Sequence, residues 1–338
     1  MEKPYPLWYS VDMCKRKKTL NALVALCALG AFVYLTIYLT QIFTPKQDEG
    51  DWALASTYGS FYEEPTGTVD VLFLGSSYGA AAFSPKVLEE DFGIRSHNLC
   101  CEQQSVFTSY YWLQEALRFQ SPKVVIFDPM LLYPWDEETV LNSPEPFTRA
   151  AFDAMHWSEV KKTAIDDLCA RDEAHEKISY YFPLRRYHDR WKELGESDFD
   201  LSPSYDPEGL RGYVCLSSES ENTSYLPLYP EGVDQYTDML PLMREYLDRI
   251  TLLCAERGIH LCLITTPSAA MTNGAFHSLS EYAAEKGILY FDMNEYHYYD
   301  KIGYDFAKDN AENSHANENG ARKITTFVGE LLQVVYGL

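Results

Sequence analysis

From residue 69 onward, short apolar runs alternate with stretches of helical length. Residues 69–74, 123–128, 260–265 and 288–293 are almost continuously apolar rather than alternating, as in parallel strands covered on both faces, and the more polar run 95–99 is read as a further strand from its place in the rhythm. Between them, residues 84–92, 104–119, 241–257, 278–286 and 318–335 place apolar side chains at helical spacing. Pro85 lies near the start of one of these helices, and Gly258 and Gly287 stand at the stops of two others. The pattern predicts an α/β protein, a flavodoxin-like three-layer sandwich around a five-stranded parallel sheet. In such sheets functional residues gather at the carboxyl ends of the strands.

The rhythm is broken twice. Residues 20–43 carry no charge and are mostly Leu, Ala, Val, Ile, Phe and Tyr, long enough at about 1.5 Å per residue to cross a hydrocarbon core of about 30 Å. Lys15, Arg16, Lys17 and Lys18 precede this stretch, and Asp48, Glu49 and Asp51 follow it. The distribution predicts a basic cytoplasmic segment over 1–18, a transmembrane helix over 19–43 and a polar stalk over 44–66. The main domain, 67–338, would then be extracytoplasmic on a single-pass cell-membrane anchor. A cleaved signal peptide is the competing reading, but the apolar run is long for one and no small-x-small cleavage site follows it. The second break, at about 130–235, is too long for a plain crossover and reads as an insertion with short helices of its own.

Composition narrows the function. The formal charge is −22, with 28 basic against 50 acidic residues, which argues against an extended nucleic-acid site. The eight cysteines show no CxxC and no Cys/His ligand spacing, so neither a metal nor another cofactor is expected. Adjacent Cys100 and Cys101 are the one redox candidate, while Cys254 and Cys262 sit in apolar patterns and read as core. The 26 tyrosines are assigned to packing with polar tips at the surface.

The chemistry concentrates in two distant segments. Val69-Asp-Val-Leu-Phe-Leu-Gly-Ser-Ser77 puts a serine on the turn after a buried strand, where Gly75 permits a tight bend and the following helix can aim N–H groups at an oxyanion. Ser77 is the expected nucleophile and Ser76 its rival. His315 precedes the last helix, and the topology can return it to the end of the first strand as a general base. Glu312, three residues before it, or Asp309, six before it, would orient the imidazole. Taken alone, the Gly-Ser-Ser turn also fits a phosphate-binding loop, but the lysine of a P-loop is missing.

Together these pieces resemble the SGNH/GDSL hydrolase-like superfamily, and within it the membrane-anchored bacterial branch related to surface O-acyltransferases and esterases. The resemblance runs through 69–77 with Pro85, Asn98 with Gln104-Ser105, Pro122-Lys-Val-Val-Ile-Phe127, Phe182-Pro183 with Tyr187-His-Asp-Arg-Trp191, Gly212-Tyr213, Thr266-Pro267 and residues 312–321. It implies Ser77 as nucleophile and His315 as catalytic histidine. Glu312 departs from the aspartate usual at its position, and Ala316 stands where relatives mostly carry leucine, with a packing effect expected. Asn317 is expected to fix the loop rather than react. For the oxyanion and substrate, the candidates are the Ser77 N–H, Gln104, Asn98, His188 and Arg190. Arg186 and Arg190 with Trp191 would form a cationic, aromatic face for a sugar polymer, or else anchor the insertion.

The implied function is a serine esterase or O-acyltransferase acting on acyl groups, in particular acetyl, of a cell-surface polysaccharide. A membrane-bound O-acyl exporter is the partner such relatives suggest. The alternative is a non-catalytic SGNH-like module that binds a glycan or scaffolds an envelope complex.

Overall fold

The computed structural model describes residues 7–46, 52, 55–133, 145–201, 206, 208–220, 236–268, 271–311 and 315–338. By packing they form two compact units, Met1–Lys46 with Ile178–Pro203, and Gln47–Lys177 with Ser204–Leu338.

In the first unit, helix α1 (Leu7–Phe43) contains the 28-residue stretch Arg16–Phe43, long and apolar enough to cross a membrane. The helix begins inside the basic segment, because nothing between Leu7 and the apolar run breaks it. Short helical pieces at Leu184–Tyr187, His188–Lys192 and Ser197–Phe199 pack against α1. The insertion expected at 130–235 is thus divided. Residues 178–201 belong with α1, and the rest of its described residues belong with the sheet.

The second unit is built on five parallel strands in the order β2-β1-β3-β4-β5: β1 (Val71–Leu74), β2 (Ser96–Asn98), β3 (Val124–Phe127), β4 (His260–Thr265) and β5 (Leu289–Asp292). This is the flavodoxin-like order, with the chain reversing direction across the sheet between β2 and β3. Val71 pairs with Ser96 on one side and Val124 on the other, which places the carboxyl ends of β1, β2 and β3 together. The helices around the sheet are α2 (Ser77–Ala82), α3 (Pro85–Phe92), α4 (Val106–Ala116), α5 (Glu145–Ala154), α6 (Glu159–Arg171), α7 (Pro241–Arg257), α8 (Asn273–Lys286), α9 (Tyr296–Ile302) and α10 (Glu318–Leu331).

Alternate strand residues serve opposite faces. Val71, Phe73, Val124, Ile126, Cys262 and Ile264 pack with Leu88, Ile324 and Val328 from α3 and α10. On the other face α7 lies against β4 and α4, with the Phe107 and Tyr246 rings meeting edge-on at 4.8 Å. Leu72, Leu74, Val125 and Leu263 on that face have no exposed surface. Each fully buried side chain of this size contributes about 1.5–3 kcal/mol, so the sheet is held from both sides.

The boundaries shift where caps decide them. Helix α4 starts at Val106 rather than 104 because the Ser105 hydroxyl accepts the Thr108 N–H. Helix α8 starts at Asn273 rather than 278, five residues early, because Thr272 caps it through the Ala275 N–H. The final helix is regular to Leu331 and then widens to a π-turn over Leu332–Tyr336. The stalk expected over 44–66 is not polar chain throughout. Ala55–Gly59 and Ser60–Glu63 are helical turns whose Tyr58 and Phe61 are buried, Tyr58 stacking on Trp112 at 4.1 Å. Three aromatic residues in five gave this segment more to bury than its neighbours suggested.

Gly212 marks a tight approach, since its φ is +84° and a Cβ there would collide with the Asn98 carbonyl oxygen. Gly212→Ala should therefore cost about 2 kcal/mol or more, measured as a fall in the denaturation midpoint with the slope of the transition unchanged. An unaffected midpoint would show that the 211–220 segment is not locked onto β2.

Candidate active site

The chain leaves β1 through Gly75, whose φ of +142° is open to glycine and closed to side chains. A Cβ there would lie 2.6 Å from the Asp128 Cβ. Ser76 then caps α2, its hydroxyl accepting the Tyr78 N–H at 3.3 Å and donating to Asp128 Oδ2 at 2.6 Å. With 1% of its surface exposed, Ser76 is a turn residue, and the hydroxyl left for chemistry is that of Ser77. Ser77 is the first residue of α2, a position whose N–H has no acceptor within the helix.

Asp128, one residue past β3, holds this turn from beneath. Its carboxylate also accepts the N–H groups of Ser76 and Gly79, both at 3.2 Å, and of Met130 at 3.1 Å. Burial pushes its carboxyl up to about 6, with the four donors pulling the other way. Asp128 stands in no motif of the sequence. The signal was there, an acid ending an apolar strand that in this sheet order lies beside the Gly-Ser-Ser strand.

Across the cleft, His315 Nε2 lies 2.9 Å from Ser77 Oγ, a hydrogen-bonding distance between residues 238 positions apart. The Tyr78 ring stacks on the imidazole at 4.6 Å and 24°, and Trp52 meets it edge-on at 5.0 Å. Around the histidine the backbone is pinned. Ala311 N donates to His315 O at 2.8 Å and Asn317 N to Asp309 O at 2.9 Å. Asn317 fixes the loop rather than facing the serine. Its Oδ1 caps α10 through the N–H groups of Asn319 and Gly320, and its Nδ2 reaches Lys308 O and Ser218 O. Ala316 is buried among core residues.

Residues 211–220 form a strap that ties the two halves of the site. Asn98 N donates to Arg211 O and Val214 N to Ala80 O, both at 2.9 Å. Farther along, Glu318 N donates to Leu216 O and Ser220 N to Asn310 O, both at 2.8 Å. One extended segment thus bonds in turn to β2, to the serine helix and to the histidine loop.

The other expected residues lie as follows. Glu312 is outside the described residues. The Asp309 carboxylate is buried and meets Lys323 Nζ and the Asp305 N–H, both at 2.6 Å. Gln104 was expected to aim a donor into the cleft, but its amide is consumed inside the fold. Nε2 donates to Leu99 O and Ser109 Oγ at 3.0 Å, and Oε1 accepts the Tyr58 hydroxyl. Asn98 is fully buried and likewise structural, donating to Gly79 O at 3.0 Å and Phe83 O at 2.8 Å while accepting the Cys100 N–H. His188 and Arg190 belong to the other unit. There His188 is exposed with Nδ1 on Arg185 O, and Arg190 bonds Phe43 O and Asp198.

Cys100 and Cys101 are buried free thiols. Burial raises both, Cys101 to about 12, so neither is an activated thiolate. Among the described residues no His/Cys/Asp/Glu group is arranged to hold a metal ion.

No protein-family model matches the chain, and no curated protein does. Among solved structures, the chain is similar to a protein assigned to the lipolytic G-D-S-L family from Desulfitobacterium hafniense DCB-2. The match has 12% identity and a TM-score of 0.36, and covers 78% of this chain and 98% of that one. At that level of likeness the chemistry has to come from the residues themselves.

A carboxyl raised from the ordinary value of about 3.9 to about 6 binds its proton more tightly folded than unfolded. Its contribution to stability is complete below about pH 4 and lost as pH rises through about 6. Asp128→Asn removes that titration. The Tm of the variant minus that of the wild type should rise across this window and level off above it, and a difference independent of pH would show that Asp128 is not perturbed.

Proposed function

We propose that this chain is a serine esterase or O-acyltransferase of the SGNH type, acting on acyl esters of a cell-surface glycan. The observation that carries the reading is the 2.9 Å approach of Ser77 Oγ to His315 Nε2 at the carboxyl end of β1. On this reading His315, neutral at Nε2, takes the Ser77 proton as Oγ attacks the ester carbonyl. The Ser77 N–H at the start of α2 faces the oxyanion that forms. The protonated His315 then gives its proton to the departing alcohol. Water or a sugar hydroxyl, deprotonated in turn by His315, releases the acyl group from Ser77. Hydrolysis and transfer differ only in that last acceptor, and the resemblance to surface acyltransferases favours transfer, with a membrane-bound exporter as the source of acyl groups. The Tyr78 and Trp52 rings support the role of His315 by limiting its rotation.

The basic residues before the apolar run of α1 and the acidic ones after it support an anchor with its N-terminus in the cytoplasm and the sheet unit outside. A second reading, a glycan-binding module without turnover, has one observation in its favour. The Asn98 and Gln104 amides, which could have assisted an oxyanion, are committed to the fold.

A fluorophosphonate probe separates the two. The wild-type chain should label covalently, Ser77→Ala should not label at all, and His315→Ala should label at least about 100-fold more slowly. An unlabelled wild type that is folded and still binds its glycan would favour the binding module. The same assay tests the acid. Glu312→Ala should slow labelling, whereas Asp309→Ala, which leaves Lys323 the Gly303 carbonyl but not the carboxylate, should lower Tm and leave the labelling rate near that of the wild type. The reverse result would make Asp309 the orienting carboxylate.

A further inference from the structure

We infer that residues 178–201 form a collar seated in the outer membrane–water interface, with Phe182, Trp191, Phe199 and Leu201 inserted among the lipid headgroups. The inference rests on reading α1 as a membrane anchor, and is independent of the chemistry at Ser77. Three observations lead to it.

Among the described side chains of α1, the cover is confined to one end. Leu20, Leu23, Leu26, Leu29, Phe32 and Leu35 are all exposed, whereas Ile42 is buried. The collar is fastened at that end by Arg190, which donates through Nη1 to Phe43 O at 2.7 Å and through Nη2 to Asp198 Oδ1 at 2.9 Å. Phe43 is the last residue of α1, so the arginine satisfies a carbonyl that the helix leaves open and sits at the negative end of its dipole. Asp198 is held in turn by the Gly195 N–H at 2.9 Å.

The register then sets the depth. A hydrocarbon core of about 30 Å takes about 20 residues of helix. Counted from Thr19, directly after the basic cluster, the core ends near Tyr38. Ile42, Phe43 and the collar fastened to them fall one turn beyond, at the level of the headgroups.

The surface of the collar suits that level. Trp191 is 62% exposed, Phe182 56%, Phe199 53% and Leu201 43%, an apolar display that water disfavours and an interface accepts. Lys192 extends over the Trp191 ring at 5.3 Å. The segment is not basic overall, since Arg185, Arg186, Arg190 and Lys192 face Asp189, Glu193, Glu196, Asp198 and Asp200. Attraction to anionic lipid is therefore not what seats it. Insertion of apolar side chains is, and salt should have little effect.

The test uses the full chain in phosphatidylcholine vesicles, with bromines placed on the acyl chains either near the glycerol or near the chain ends. The difference between wild-type and Trp191→Phe fluorescence isolates Trp191 from the other tryptophans. That component should be quenched about twofold or more by the shallow bromines, less by the deep ones, and unchanged by added salt. Phe182→Trp in the Trp191→Phe background should report the same depth.

A component quenched by aqueous iodide but not by bromolipid would overturn the collar, and so would one shielded from both, the mark of a protein partner on this face. Flotation with the vesicles after alkaline carbonate distinguishes the two failures. A chain that floats while Trp191 remains unquenched keeps its anchor and loses the collar, whereas a chain that does not float loses both.

Discussion

A serine and a histidine 238 positions apart must be kept within 2.9 Å of each other, and much of the sheet unit can be read as the means of doing so. Neither side chain can enforce the distance. One hydrogen bond of this kind contributes only about 1 kcal/mol net, less than the entropy of ordering the two loops that carry it. The distance has to be imposed by what holds each loop. For Ser77 that is the buried Asp128 carboxylate, which gathers three N–H groups and one hydroxyl around the turn. For His315 it is Asn317, whose amide caps α10 while reaching back to Lys308 O and Ser218 O.

Those two anchors are joined by Thr325, whose hydroxyl bridges Ala82 O and the Ser84 N–H, and by the strap. Residues 211–220 bond to Asn98, Ala80, Glu318 and Asn310 in turn, so the serine helix and the histidine loop share one stretch of backbone. The parallel sheet makes the arrangement possible, since β1 and β3 pair in register from Val71 with Val124 to Leu74 with Phe127. That register brings Gly75 against Asp128. A slip of one residue would turn Asp128 to the opposite face and leave the turn without its acceptor.

These particulars explain what was legible in the sequence. The strands were, because a run such as Val71-Leu-Phe-Leu74 is apolar on both faces only if both are covered. The meeting of Ser77 and His315 was, because each stands in a local context with a chemical meaning. Asp128 had a context but no motif, and its role appears only when β3 is placed next to β1. The strap left no trace, since it acts through main-chain groups that every residue carries. Gln104 and Asn98 were misread for a related reason, as a primary amide that can polarise an oxyanion can equally close a buried hydrogen-bond network.

That commitment of the amides bears on the proposed chemistry. Stabilising an oxyanion needs donors that are free when the charge develops, and each one removed costs about 3 kcal/mol. Near Ser77 the side-chain N–H groups of Asn98 and Gln104 end on carbonyls and a hydroxyl. The main-chain N–H groups of Cys100 and Cys101 end on Asn98 Oδ1 and Gly75 O. At the start of α2 the N–H groups of Tyr78 and Gly79 end on Ser76 Oγ and Asp128 Oδ2, which leaves the Ser77 N–H as the donor on the proposed mechanism. So few donors among the described residues suit carbonyls that need little help, with an alcohol rather than an amine as leaving group. On the proposed mechanism, then, the same hydrogen bonds that make the turn rigid bias it toward oxygen esters and away from amides.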